Sequence, residues 1–407
     1  MEPNLSLFLS ATGWREMKFD PNSFKPPVLY KAGVVCLEND LYIFGGKPKK
    51  QALRTHNIYH FSFITSKWEI LATKGDHPPH RSSHSMCGFD SKFWIFGGNA
   101  QKFFSDFYEF DLLINKWRKI TTKKKPEGRF SHSMQYHKGK IYLFGGCVNS
   151  KSRLNDTWKF DTSIEKWEEI ETFGTKPIGR SSHTSIIHDN KMLIFGGLGD
   201  NRKRQNDLFS LDLMNYTWNE IITQPTIEII KSQSILTKFG DVYFYNKHSP
   251  FEMSGAVPMI YNDRYFIIFG GTSTLMRHHN HTFILDLETN QWINFDKLIY
   301  DHMILQDLQR INKSKIIEKE KEDQKEDQKN LDSIKQIEKN IQQIFLDKPK
   351  PPKRFGHLGF AKNNNEIFIF GGSPVSIKDF SFWIFTLEPH LILDLRIFLK
   401  KEILEDF

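Results

Sequence analysis

Two hydrophobic patterns alternate along this chain at a nearly fixed spacing. The first is an unbroken apolar run that ends on two glycines: Leu41-Tyr-Ile-Phe-Gly-Gly46, Phe93-Trp-Ile-Phe-Gly-Gly98, Ile141-Tyr-Leu-Phe-Gly-Gly146, Met192-Leu-Ile-Phe-Gly-Gly197, Phe266-Ile-Ile-Phe-Gly-Gly271 and Phe368-Ile-Phe-Gly-Gly372. Such a run predicts a strand buried on both faces. The paired glycines predict a sharp turn and a close backbone approach at its end. The second pattern alternates apolar and polar residues, as in Asn57–Ser62, Asp106–Asp111, Asp156–Asp161, Asp207–Asp212 and His281–Asp286. It predicts a strand with one buried face, closed by polar turn residues. Six positions after the last polar residue of each segment stands a tryptophan: Trp68, Trp117, Trp167, Trp218 and Trp292. Each opens an outer strand and is large enough to pack between neighbouring units. Ahead of the glycine pairs lie Arg81-Ser-Ser-His84, Arg129-Phe-Ser-His132, Arg180-Ser-Ser-His183 and Arg354-Phe-Gly-His357, which lead into a first strand. The unit therefore has four strands. Glycine pairs recur at intervals of 52, 48 and 51 residues, then 74 and 101. A mostly-strand unit of about 50 residues, repeated, predicts a radial β array.

These marks resemble the kelch repeat. The glycine pair, the aromatic before the Asp and the Trp six residues after it recur in register five times, with a sixth, degraded copy, over roughly 14–295 and 350–390. The resemblance implies β-propeller blades, so the expected fold is all-β: a six-bladed kelch propeller with four strands per blade. Its blade signature would be Gly45, Gly46, Gly97, Gly98, Gly145, Gly146, Gly196, Gly197, Gly270, Gly271, Gly371 and Gly372 with the five tryptophans. The last unit lacks a Trp at the expected distance after Phe380–Leu387, and the N-terminus supplies a spare one in Trp14. Trp14 is read as the outer strand of the last blade, closing the ring and removing a free sheet edge. The alternating run Leu391–Leu399 is the competing closure. The expected organisation is blades one to five over 1–296 with the Trp14 strand, an insertion over 297–350, the last blade over 351–390 and a tail over 391–407.

Two segments interrupt the repeat. Lys231–Tyr245 reads as two strands about a Phe-Gly-Asp turn, an inserted hairpin in preference to a stunted seventh blade. The segment 297–350 carries twelve basic and eleven acidic residues, so it is not a basic arm. Leu331, Ile334, Ile337, Ile341 and Ile344 recur at helical spacing and form an expected partner-docking stripe; a flexible surface loop is the plainer alternative.

Composition narrows the function. Net charge is +8, spread over many lysines, and the aromatics belong to the repeat, so no nucleic-acid partner is expected. Three cysteines form no disulfide framework or metal spacing, no secretory signal is visible and no apolar run is long enough to span a bilayer. An intracellular, cytoplasmic protein without membrane insertion is expected, with cytoskeletal, ciliary or nuclear association open. His84, His132, His183 and His357 occupy one repeat position in different blades, too far apart radially to converge on a metal, and no cofactor is expected. No phosphate loop or nucleophile elbow occurs, so catalysis is not expected. Arg81, Arg129, Arg180 and Arg354 precede channel-lining strands and are candidates for a basic mouth; in similar kelch receptors arginines near these strand starts bind acidic peptides or chain termini. Local pairing of each Arg with carbonyls or acids is the alternative. The favoured function is a protein-interaction scaffold or adaptor binding other proteins at the mouth, the rim or the insertion. A ubiquitin-ligase substrate receptor, a structural subunit of a cytoskeletal or axonemal assembly and, least favoured, a small-molecule enzyme are the alternatives.

Overall fold

The computed structural model describes residues 13–17, 23–48, 55–149, 151–225, 249–274, 276–296, 351, 354–355, 357–362, 366–370, 373–374 and 382–386. The 231–245 segment, the insertion with its Leu331–Ile344 stripe, Gly371, Gly372 and the tail with Leu391–Leu399 lie outside the described residues. The described chain is all-β, a propeller-like arrangement of small sheets. Helix among the described residues is confined to 295–296.

Each repeat folds into an antiparallel meander. Unit two runs Ser85–Phe89, Lys92–Phe96, Phe107–Asp111 and Lys116–Ile120, each strand pairing with the next. Units one, three, four and five repeat that order from Gly33–Leu37, Ser133–His137, Thr184–His188 and Val257–Tyr261. The last unit contributes Leu358–Lys362, Glu366–Phe370 and Phe382–Thr386. Its fourth strand is Gly13–Glu16, with Trp14 opposite Phe385. The first strands lie side by side in chain order, and Leu358–Lys362 also lies beside Gly33–Leu37.

Alternation along the glycine-pair strand explains where the core sits. In unit three Ile141 and Leu143 pack with Phe96 and Phe107 of unit two, while Tyr142 and Phe144 pack with Ile194 and Trp218 of unit four. The run is apolar throughout because each face belongs to a different inter-sheet layer. The tryptophans lock successive layers. The Phe before a glycine pair meets the Trp of the following unit: Phe44 with Trp117 at 5.1 Å, Phe96 with Trp167 at 5.7 Å, Phe144 with Trp218 at 5.1 Å and Phe195 with Trp292 at 5.5 Å between ring centroids. Phe269 of unit five meets Trp14 at 4.5 Å, so Trp14 occupies the same structural position as the other tryptophans.

Outside three of the meanders a two-residue strand runs parallel to the Trp strand. Lys74–Gly75 pairs with Lys116 and Trp117, Phe173–Gly174 with Thr217 and Trp218, and Gln224–Pro225 with Gln291 and Trp292. Each comes from the linker entering that unit.

Candidate functional site

The two glycines of each pair have different jobs. A Cβ on Gly97 would lie 2.5 Å from the Arg129 carbonyl and 3.0 Å from the His132 ring, both in the next unit. A Cβ on Gly98 would lie 2.8 Å from Cβ of His84 in its own unit. The first glycine thus admits the following unit's Arg-x-x-His corner, and the second admits its own. The second glycine's N–H also reaches the following unit: Gly46 N donates to Arg81 O and Gly98 N to Arg129 O, each at 2.8 Å.

Arg81, Arg129 and Arg180 are buried, with exposures of 0%, 1% and 0%. Each donates to both carboxylate oxygens of an Asp in or just before its own unit's third strand: Asp106 at 2.6 and 2.9 Å, Asp156 at 2.6 and 2.8 Å, Asp207 at 2.6 and 2.9 Å. Nη1 also donates to the first-glycine carbonyl, Gly97, Gly145 or Gly196, at 2.9 to 3.0 Å. Nε donates to the carbonyl two residues upstream, on Pro79, Glu127 or Ile178. The planar fork is consumed by a carboxylate and two carbonyls, which suits a guanidinium held inside a protein. This corrects the expectation of a basic mouth: the three arginines are internal struts and are not presented to a peptide. Arg354 pairs its backbone with Pro374, and its side chain lies outside the described residues. In unit five Met253 takes the Arg position, its carbonyl 2.8 Å from the Gly196 Cβ site, and His281 stands in sequence where units two to four carry Asp.

The histidines are inter-sheet packing groups. The His84, His132 and His183 rings meet Phe44, Phe96 and Phe144 of the preceding unit edge-on at 5.5, 5.5 and 5.3 Å. His183 Nε2 also lies 2.8 Å from Ser133 Oγ. Burial, reinforced by the nearby Arg81 and Arg180, pushes His84 and His183 down to about 3. Burial and Arg129 hold His132 well below the usual range. The rings are therefore neutral at physiological pH. Among the described residues no group of three or more His, Cys, Asp or Glu side chains converges on a possible metal position. No helix among them is long and apolar enough to cross a membrane.

Beside the struts runs a girdle of backbone hydrogen bonds. Ser83 N donates to Lys31 O, Ser131 N to Ser83 O, Ser182 N to Ser131 O and Gly255 N to Ser182 O, each at 2.8 Å. Lys31, Ser83, Ser131 and Ser182 all have φ between 52° and 58°. Sequence reading misses this girdle, because a serine does not announce a left-handed conformation.

Next to the girdle stand two arginines that the sequence reading did not single out. Arg153 and Arg204 open the third strands of units three and four, three positions before Asp156 and Asp207. Arg153 Nε donates to Ser181 Oγ of the next unit at 3.2 Å, and Arg204 Nε donates to Ser254 Oγ at 3.0 Å. Arg204 Nη2 approaches Met276 Sδ at 3.2 Å, and Arg153 Nη1 is buried with no hydrogen-bond partner among the described residues. Neither forms an ion pair with a described residue. Burial lowers the Arg204 pKa. The available signal was positional: an Arg three residues before the third-strand Asp, where unit two has Phe103 stacked on Phe130 at 5.1 Å.

Residues 31–245 match the KLHDC2/KLHL20/DRC7 Kelch-repeats domain family. Human host cell factor 2 is 27% identical over 260 residues, 57% of this chain and 32% of that protein. Human kelch domain-containing protein 3 is 31% identical over 169 residues, 39% of this chain and 44% of the relative. The Bos taurus kelch domain-containing protein 3 is 28% identical over 209 residues, 48% and 54% of the two chains. The chain thus spans about a third to half of the length of these curated relatives.

Proposed function

The chain belongs to the KLHDC2/KLHL20/DRC7 kelch-repeat family, and from that premise we propose that it is a protein-interaction scaffold built on a six-bladed ring that takes an acidic segment of a partner at one mouth. The side-by-side first strands support a closed ring, as does the pairing of Gly13–Glu16 with Phe382–Thr386. The observation that carries the mouth reading is the pair Arg153 and Arg204. They occupy equivalent places on adjacent units beside the backbone girdle, each oriented by a serine of the next unit, with no described carboxylate on their terminal nitrogens. A partly desolvated guanidinium with unused N–H groups favours a carboxylate that can accept two of them. The girdle is rigid, so little ordering opposes binding. Partners are thus other proteins, and the reading requires neither cofactor nor catalysis.

The test uses the full chain with both arginines changed to Glu and a fluorescein-labelled peptide rich in Glu and Asp as the probe. Reversal of both charges weakens binding by about tenfold or more, because like charges then face each other. The melting temperature stays close to the parent's. Undiminished peptide binding sinks the mouth reading.

A further inference from the structure

The linkers entering units two, four and five each add a parallel strand outside the Trp strand, and the linker entering unit three does not. In the covered units the added residue lies seven positions after the preceding Trp. It is Gly75 after Trp68, Gly174 after Trp167 and Pro225 after Trp218. In units two and four the place requires glycine: a Cβ on Gly75 or Gly174 would lie 2.2 or 2.3 Å from the Trp117 or Trp218 carbonyl, and both glycines have positive φ, 83° and 76°, whereas unit five accommodates Pro225 there. Seven positions after Trp117 stands Lys124. The run from Trp117 to Pro126 is also one residue shorter than those from Trp68 to Pro78 and from Trp167 to Pro177. This linker bends away instead. Thr122 Oγ1 donates to Lys124 O at 2.9 Å, and Lys124 Nζ lies 5.3 Å above the Trp158 ring.

Among the described residues nothing pairs with the outer side of Lys166–Glu169, the last strand of unit three, which is consequently an open edge. In unit two the added strand uses three groups of that edge: Lys74 N donates to Asn115 O, Asp76 N donates to Trp117 O, and Lys119 N donates to Asp76 Oδ2. Unit four repeats the first two with Phe173 N to Tyr216 O and Thr175 N to Trp218 O. The matching groups in unit three are Glu165 O, Trp167 O and Glu169 N, and no described backbone group occupies them. The charge around the edge is mixed, with Lys166 in the strand itself and Lys124 above the Trp158 ring. Glu165 and Glu168 are partnered by Arg118 and Lys159, whereas the exposed Glu169 and Glu171 have no ion-pair partner among the described residues.

We propose that Lys166–Glu169 is a β-augmentation site for an extended, basic segment of another protein, bound parallel to the Trp strand. The segment places Gly against the Trp167 carbonyl and Asp or Thr after that Gly to accept from Glu169 N. Pairing of an extended peptide with a sheet edge supplies affinity through main-chain bonds, and side-chain fit supplies selection. Here the selection is for Gly, by the carbonyl beneath it, and for lysines, by Glu169 and Glu171. The site is on the rim, so changes at Arg153 and Arg204 leave it intact, and the two readings fail independently.

The test is hydrogen exchange on the full chain with the peptide acetyl-Lys-Ala-Thr-Lys-Gly-Thr-Lys-Pro-amide and its Gly-to-Val counterpart. The Gly peptide slows exchange of the Trp167 and Glu169 amides by about tenfold or more, and the Val peptide does not. A variant carrying the sequence of 72–78 in place of 121–126 covers its own edge, protects those amides without peptide and no longer binds it. If that variant fails to fold, Glu169→Pro removes one outward N–H at an edge that tolerates proline and weakens binding instead. Absence of protection at saturating Gly peptide, or equal binding by the covered variant, overturns the proposal. So does a concentration-dependent dimer of the parent chain that protects the same amides, which would give the edge to a second copy.

Discussion

Arg129 donates to both oxygens of Asp156 and to two carbonyls while 1% exposed, whereas the Arg153 side chain donates, among the described residues, only to a serine. Removing the first leaves the half-buried Asp156 carboxylate without its guanidinium, with Trp158 Nε1 as its remaining described side-chain donor; removing the second takes one donor from the Ser181 hydroxyl. Arg129→Ala is expected to lose about 3–5 kcal/mol of stability, and Arg153→Ala less than about 1 kcal/mol, measured by denaturant unfolding. Unit five, with Met253 and His281 in these places, indicates that the ion pair can be replaced, so Arg129→Met with Asp156→His recovers part of the loss. The histidines carry a pH signature. His84 and His183 titrate near 6.5 when unfolded and near 3 when folded. The unfolded chain therefore binds more protons between those values, and stability falls as pH drops below about 6.5, by up to about 1.4 kcal/mol per pH unit for each ring. His183→Gln is expected to flatten the stability profile between pH 7 and pH 4; an unchanged slope assigns the dependence to other groups.

At the scale of the element, the glycine pair was plain in the sequence, and its reason was only partly so. A turn and a close approach were expected. That the approaching atom is the next unit's Arg carbonyl required the sheets to be assembled. Gly97→Ala puts a Cβ 2.5 Å from a backbone oxygen at φ of 66°. The backbone conformation alone costs about 1–2 kcal/mol, and the clash adds to it. The expected outcome is a lowered unfolding midpoint larger than that of Gly139→Ala, where φ is 78° and a Cβ meets nothing within 4 Å. Equal losses at the two sites would leave the inter-sheet contact without energetic weight. The two-residue outer strands were not legible, since two residues show no period; their only trace is the Gly or Pro seven positions after Trp.

For the whole molecule, the consequential element is the four-residue strand Gly13–Glu16. Trp14 is 8% exposed, touches Phe269, and donates from Nε1 to Thr282 Oγ1 at 3.2 Å, joining the beginning of the chain to unit five as well as to Phe382–Thr386. Trp14→Ala is expected to cost about 3–5 kcal/mol, as for a large buried aromatic. A double-mutant cycle with Phe269→Ala should show coupling above about 0.5 kcal/mol, and strict additivity would deny the contact.

The sequence alone determined the all-β class, the repeat, which runs are buried on both faces and the kelch family, because these follow from periodic burial and each unit repeats the evidence. It also supplied Trp14 as a spare for a unit that lacked one. Only the tertiary structure decided what the arginines do. A guanidinium has the same sequence signature as a strut or as a recognition group, and the choice turns on whether a carboxylate lies within about 3 Å of it after folding. The Asp 27 residues from Arg129, the girdle that binds one unit's serine to the next and the edge at Lys166–Glu169 left uncovered by described residues all depend on how segments distant in the chain meet, and local periodicity carries no record of them.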